Sequence, residues 1–485
     1  MINLLPVINV LGRLMGFFSL AYVIPIAGSL IFDDGLVHDY VYAMGLTVFM
    51  GGLMYVCTRR HYRELKARDG FALVVAAWTM MAAIATVPLL LVYDTMSFTD
   101  AFFETMSGLT TTGATVLVGL DSAPPSINLW RHELNWLGGM GIIVLAVAVL
   151  PLLGVGGMQL YKAEVSGPMK DSKLTARIAD TAKALWLVYA ALTLACTLAL
   201  AVAGMNWLDA ICHAFATLSL GGFSTRDASI GAFDDPVIEA ILIVFMVLAA
   251  LNFANHFAAF RRRDLFVIWV DAEARAVIGL LAISSLGVSW YVWQQGTYPE
   301  FVTALRHVSF NLVSIATDCG FASQDFDKWP IFAPLWMLFL SCVTVSSGST
   351  GGGIKMVRTL TLAKQAYREL ARLIHPAAVI PVKIGHAVLP AGIVQAVFGF
   401  IFLYFMSVVM MTLVLVLSGL DFISAFSAIV ACINNAGPGL NQVGPATNYQ
   451  VLNDFQTWVC AFTMLLGRLE VLSLLVVFTP VFWRR

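Results

Sequence analysis

Charge is scarce in this sequence. Asp, Glu, Lys and Arg make up 12% of its 485 residues, about half of what a soluble globular protein spreads over its surface. That excludes a chain of ordinary soluble domains. Cysteine is sparse too: the seven (57, 196, 212, 319, 342, 432 and 460) are odd in number, unclustered and mostly inside apolar runs. Neither a disulfide framework nor a zinc cluster fits that spacing. His132, His213, His256 and His307 show no metal-ligand pattern such as HExxH and read as packed or interfacial side chains. No Ser/His/Asp arrangement stands out, and GVGGMQ (154–159) lacks the lysine of a phosphate-binding loop. The sequence offers no catalytic constellation and does not read as an enzyme. The net charge of −1 says nothing about partners, because the two signs are sorted along the chain.

Apolar bulk takes the place of charge: 59% of the residues are AVILMFWYC. Ten segments are long enough to cross about 30 Å of hydrocarbon: 4–31, 39–57, 71–93, 132–157, 183–204, 236–258, 275–294, 330–354, 387–418 and 455–482. The first is too long for a cleaved signal core and lacks a clear cleavage site, so it is expected to stay as a helix. Lys and Arg collect in cytoplasmic loops. Here they cluster after spans two (Arg59, Arg60, Arg63, Lys66, Arg68), four (Lys162, Lys170, Lys173, Arg177, Lys183), six (Arg261, Arg262, Arg263, Arg275) and eight (Lys355, Arg358, Lys364, Arg368, Arg372, Lys383). With Arg13, Arg484 and Arg485 these fall on one side if both termini are cytoplasmic. The opposite loops carry Asp33, Asp34, Asp39, Asp234, Asp235, Asp325 and Asp327. Arg131 and Lys328 break the rule at outer span ends, where snorkelling accounts for them. Arg226, Arg306 and Arg468 ask for another explanation.

The outer loops after spans three, five, seven and nine repeat one pattern. Each holds an apolar stretch of a dozen residues, too short to cross, that ends in a small polar run with glycine: Gly113, Gly222, Gly320 and Gly437. A polar residue (Asp100, Asp209, His307, Ser424) lies at one fixed offset before each glycine, and Asp100, Asp209 and Ser424 suit helix N-caps. Three residues before each glycine stands Thr110, Ser219, Thr317 or Asn434, always small and oxygen-bearing. Span, short re-entrant helix, extended segment, span: two crossings per repeat give all four copies one orientation. Parallel copies imply a pseudo-fourfold axis along the membrane normal. Non-helical backbone at membrane depth survives only where it is buried or lines water. Four such strands would present rings of carbonyl oxygens to a cation, with the short helices aiming their negative ends at the axis. Purely structural re-entrant helices are the competing reading, and they leave the shared offset of four copies unexplained.

The chain resembles the TrkH/TrkG–KtrB superfamily of potassium-uptake proteins, essentially over its full length. The match is carried by TTTGATV (110–116), WLGGMGIIVLAVAVLPLLGVGGMQLYKAE (136–164), GGFSTRDAS (221–229), SSGSTGGG (346–353), NNAGPGL (434–440) and GRLE (467–470). Two additional N-terminal spans place it nearer the TrkH/TrkG branch. The resemblance implies an all-α polytopic protein of the bacterial inner membrane, with a two-helix extension (1–69) and four pore repeats (70–165, 166–265, 266–372, 373–485). It implies a potassium filter from Thr110, Thr111, Thr112 and Gly113; Leu220, Gly221 and Gly222; Thr317, Asp318, Cys319 and Gly320; and Asn434, Asn435, Ala436 and Gly437. It also implies a homodimer and a TrkA-like cytosolic ring that binds nucleotide, with no cofactor on this chain beyond the potassium ion it carries. Symport coupled to protons or sodium stays open as the alternative.

Two departures bear on mechanism. Each segment keeps one shared glycine in place of TVGYG, and the third places Asp318-Cys319 before Gly320. Asp318 is expected to point behind the filter, held by Arg306 or Arg226. The eighth span is interrupted by Ser346, Ser347, Gly348, Ser349, Thr350, Gly351, Gly352 and Gly353, about 24 Å along an ideal helix from Pro330. Each glycine costs a helix up to about 1 kcal/mol. A flexible gating loop under the filter is expected; close packing of helices through small residues is the competing reading. Arg468 lies deep in the last span, where a cation must face protein or water. Glu470, two residues on, points to a different face, so loop carbonyls or pore water are the expected partners. Arg468 is expected to set an electrostatic barrier and hold the loop shut, against the alternative of merely stapling helices.

Overall fold

In hydrocarbon the backbone must satisfy its own hydrogen bonds, and a helix does so locally. The structure is a computed structural model and describes residues 4–61, 63, 65–148, 178–264, 266–385 and 387–484. These are mostly helical. The one strand pair among the described residues is the short antiparallel hairpin of Lys383–Ile384 with Ala387–Val388.

Among the described residues, six helices are long and apolar enough to cross a membrane: Leu5–Phe32, Val37–His61, Arg68–Val92, Ala182–Val202, Ala272–Gln294 and Ala391–Leu417. Two bent pairs, Pro236–Ala250 with Phe253–Arg262 and Asp454–Arg468 with Leu472–Phe478, raise the number to eight. Eight of the ten expected spans thus appear among the described residues, and the fourth and eighth do not pass the same test there. The sixth span turns by 98° and the tenth by 116°. At the first turn Leu251 is extended and Asn252 starts a new helix, its side chain accepting the Ala254 amide at 2.9 Å. At the second, Glu470 and Val471 take positive φ of 54° and 33°. The fourth span, Pro125–Ala148, carries Arg131 and Glu133, and its description ends at Ala148. The eighth is helical only over Phe332–Val343. Lys162, Lys170, Lys173, Arg177 and GVGGMQ lie outside the described residues.

The first two helices touch backbone to backbone. A Cβ on Gly12 would sit 2.7 Å from the Gly51 carbonyl oxygen, and one on Gly51 would sit 2.8 Å from that of Gly12, the small-residue packing that lets membrane helices approach. Asn9 adds a hydrogen bond to Thr58 Oγ1 at 3.2 Å. This pair docks on the remainder through Tyr22, whose ring stacks on Trp130 at 4.7 Å and whose hydroxyl donates to the Ile84 carbonyl.

Four shorter helices, Phe98–Leu109, Trp207–Ser219, Phe301–Ala316 and Phe422–Asn434, are enclosed by the long ones and are buried over most of their own length. Their caps stand one turn earlier than expected. Ser97, Asn206 and Asp421 accept the backbone amides of Asp100, Asp209 and Ser424, so those three are third-position residues inside the first turn. The third helix begins at Phe301, which places His307 within it.

Candidate functional site

The four short helices end by one device. Thr111, Leu220, Asp318 and Asn435 take left-handed conformations, with φ of 54°, 55°, 65° and 59°. The amide of the next residue then reaches back to close the last turn: Thr112 to Ser107, Gly221 to Ala216, Cys319 to Ser314 and Ala436 to Ala431, all at 2.8–2.9 Å. A left-handed residue with a side chain costs about 1–2 kcal/mol, and it persists only where its surroundings fix it. Each stands two positions before Gly113, Gly222, Gly320 or Gly437, which have φ of 78°, 63°, 89° and 86°.

These glycines meet in a closed cycle. A Cβ on Gly113 would lie 2.2 Å from the Gly221 carbonyl oxygen, and one on Gly222 2.0 Å from that of Cys319. On Gly320 it would lie 2.5 Å from the Ala436 oxygen, and on Gly437 2.7 Å from that of Thr112. Each segment thus rests on the carbonyl that precedes the next segment's glycine, from first to second, third, fourth and back. All four glycines line one cavity of about 80 Å³, with Arg226, Asp227 and Tyr449 also in its wall.

Beyond the glycines the segments are stitched to their neighbours at all four junctions. Asp227 accepts the amides of Gly119 and Leu120 at 2.9 and 3.0 Å. Gly231 donates to Ala322, Asp327 accepts the Asn441 amide, and Tyr449 donates from its backbone to Thr115. The oxygen-bearing side chains three before each glycine turn away from the ring. Thr110, Ser219 and Thr317 bond to carbonyls of their own helices, and Asn434 bonds to Tyr404 and Ser341.

Three cations need reassignment. Arg131 does not snorkel; it is 1% exposed and paired at 2.8 Å with Glu104, also 1% exposed. It donates to the Ser224 carbonyl and lies 4.3 Å from the Phe223 ring centre, while Glu104 accepts from Thr115 and the Val116 amide. This pair ties the first segment to the second, and sequence reasoning missed it. Its signal was a carboxylate inside one of the short helices. Neither Arg226 nor Arg306 holds Asp318. Arg226 pairs with Asp209 at 2.8 Å, which holds its guanidinium above the ordinary range, and Arg306 pairs with Glu239 and Asp234. The Asp318 carboxylate is fully buried and meets no hydrogen-bond partner among the described residues. His132 and His213 pack behind the second segment, bonded to the Phe223 carbonyl and Ser224 Oγ.

Residues 344–355 are non-helical, as the run of small residues implied, and connect Phe332–Val343 to the amphipathic helix Met356–Ile374. The loop is packed under the ring. Thr350 Oγ1 donates to the Leu218 carbonyl at 2.9 Å, and the space for a Cβ on Gly352 ends 1.9 Å from the Asn434 oxygen. Its other flank is held by Glu273 on the Ser347 amide, by Gly348 accepting the Phe253 amide, and by Ser346 donating to Ala250. Arg468 is 2% exposed and donates to the carbonyls of Thr350 at 2.8 Å and Gly138 at 2.7 Å. Thr350 supplies the expected loop carbonyl, Gly138 belongs to the helix Pro125–Ala148, and Glu470 pairs with Arg358 instead.

Comparison with known proteins matches the chain over essentially its whole length. The family model described as "TrkH: Cation transport protein" matches residues 38–484. The Trk system potassium uptake protein TrkH of Halomonas elongata is 47% identical, with all of both chains covered. The corresponding TrkH of Escherichia coli K12 is 45% identical over 98% of each chain, and the same organism's TrkG is 38% identical over 99% of this chain and 98% of its own. The crystal structure of the potassium transporter TrkH from Vibrio parahaemolyticus superimposes with a TM-score of 0.91 at 43% identity, covering 100% of both chains. The chain belongs to the TrkH family of cation transport proteins, a family of transporters rather than enzymes.

Proposed function

We propose that this chain carries potassium ions into the cell through a gated pore whose selective part is the glycine ring. The observation that carries the reading is the closed cycle of Gly113, Gly222, Gly320 and Gly437 against the carbonyls of Gly221, Cys319, Ala436 and Thr112. Carbonyl oxygens arranged about a common centre can replace the hydration shell of an alkali ion. The filter comprises residues 110–113, 220–222, 317–320 and 434–437, each contributed by one of four similarly oriented repeats (70–165, 166–265, 266–372 and 373–485) behind the two-helix extension 1–69. The relatives named as Trk potassium uptake proteins support the choice of ion.

The gate is the loop 346–353 with Arg468. The loop fills the space on one side of the ring, and Arg468 fixes a positive charge there through Thr350. The sorted lysines and arginines support a cytoplasmic loop side and cytoplasmic termini in an inner membrane. The Trk-system names of the relatives support a cytosolic partner of the TrkA type, and we extend this to nucleotide control of the gate and a homodimeric assembly. Parallel repeats favour a pore over a transporter built on inverted repeats.

The test is rubidium uptake by purified protein in liposomes with potassium, sodium and lithium as competitors. The reading expects uptake without any proton or sodium gradient, blocked best by potassium. Gly113→Ser, whose side chain would meet the Gly221 carbonyl, is expected to weaken discrimination against sodium. Uptake that demands a second ion gradient would replace the pore with symport.

A further inference from the structure

Three of the four short helices grip the segment that follows them through one buried side chain at a common offset. Glu104, His213 and Asn311 stand nine positions before Gly113, Gly222 and Gly320, and each is at most 1% exposed. Glu104 accepts the Thr115 hydroxyl and the Val116 amide at 3.0 and 3.1 Å. With its proton on Nδ1, 2.7 Å from the Asp209 carbonyl, His213 accepts the Ser224 hydroxyl on Nε2 at 2.9 Å. Asn311 donates to Ser323 Oγ and accepts the Ser323 amide, at 3.0 and 3.1 Å. All these partners lie two or three residues past their glycines. Three different residue types thus build the same strut across the glycine. The fourth helix has Ala428 at this offset. There Ser427 accepts the Leu440 amide at 2.8 Å and Tyr449 donates to the Gly437 carbonyl at 2.9 Å.

We propose that Glu104, His213 and Asn311 are positioning residues that set the preference of the ring for potassium over sodium. The proposal rests on the reading of the glycine ring as the ion filter. A ring of oxygens that excludes a smaller ion by size must not contract around it. The glycines cannot supply that stiffness, because they are the most permissive points of the chain. Each strut closes a short loop of chain, from helix across glycine and back, and a fully bonded buried network rigidifies what it holds. Arg131 joins the first strut to the second. It donates to Glu104 at 2.8 Å and to the Ser224 carbonyl at 3.2 Å, while the Ser224 hydroxyl meets His213. None of the three strut side chains lines the cavity that the four glycines share. They therefore act through the segments and not on the ion.

The experiment compares wild type with Glu104→Gln, Asn311→Ala and Ser224→Ala in liposomes, reading rubidium uptake with potassium and sodium as competitors. Thr105→Val is the control. It removes a buried hydroxyl one residue along the first short helix, bonded to the carbonyls of Ala82, Ala101 and Phe102 and to no filter segment. Thermal unfolding of all four variants measures lost stability separately. The struts predict that each of the first three variants lowers discrimination of potassium from sodium by about fivefold, the equivalent of one net hydrogen bond. They also predict that Thr105→Val keeps the wild-type preference even where its unfolding temperature falls as far. Wild-type discrimination in the three, or an equal loss in Thr105→Val, overturns the proposal. If Glu104→Gln or Asn311→Ala does not fold, Ser224→Ala, which removes a single hydroxyl, decides by the same criterion. Gly113→Ser is measured beside them. An altered preference there with none in the strut variants overturns the struts alone, and an unaltered one sinks the ring reading and the struts with it.

Discussion

At the scale of single residues, the four glycines are under unequal steric demand. An added Cβ would come within 2.0 Å of a carbonyl oxygen at Gly222 but stay at 2.7 Å at Gly437, and contact with backbone cannot be relieved by rotating a side chain. Alanine at 222 is therefore expected to erode discrimination of potassium from sodium more than alanine at 437, measured by competition in rubidium uptake. Equal effects would mean that the close approaches do not shape the ring. The arginines divide by burial in the same way. Breaking the enclosed Arg131–Glu104 pair by Arg131→Ala leaves a carboxylate without its partner and should destabilise the protein by about 3–5 kcal/mol. Arg372→Ala, at a side chain 44% exposed that faces the equally open Glu369, should cost about 1 kcal/mol or less. Thermal unfolding of the two variants in the same detergent checks the difference.

At the scale of elements, the loop between Phe332–Val343 and Met356–Ile374 is held by contacts from four directions: Glu273, Phe253, Leu218 and Arg468. Gly352→Ala places a methyl against the Asn434 carbonyl, and Arg468→Ala removes the tether to Thr350. Both, like deletion of 348–352, are expected to raise basal rubidium leak several-fold in liposomes. A lower leak with intact folding would reverse the gate assignment. This loop was legible from composition, because eight small residues in a row do not form a helix in lipid. The depth of Arg468 was legible for a related reason: a cation among apolar residues must find oxygen. Other features left no such trace. The bends at Leu251 and after Arg468 interrupt apolar sequence that reads as continuous, because a broken turn changes backbone angles and not composition. The Glu104–Arg131 pair joins different elements, so no local spacing announces it. Asp318 was assigned a partner that Glu239 and Asp209 had already taken, since competition among distant carboxylates is decided only in three dimensions.

At the scale of the whole molecule, four segments separated by about a hundred residues each close a cycle that none could form alone. Repetition made this legible, since one offset recurring four times fixes register even where the linkers vary. The left-handed residue two before each glycine escaped notice, because Thr, Leu, Asp and Asn share no chemistry. The account treats the ring as the point where an ion is stripped of water. Diffraction from crystals soaked in rubidium or thallium, recorded at the anomalous edge, tests that most directly. The account predicts an anomalous peak at the centre of the cycle, surrounded by the carbonyl oxygens of Thr112, Gly221, Cys319 and Ala436. A bound ion found only elsewhere, with the centre of the ring empty at saturating rubidium, would contradict it.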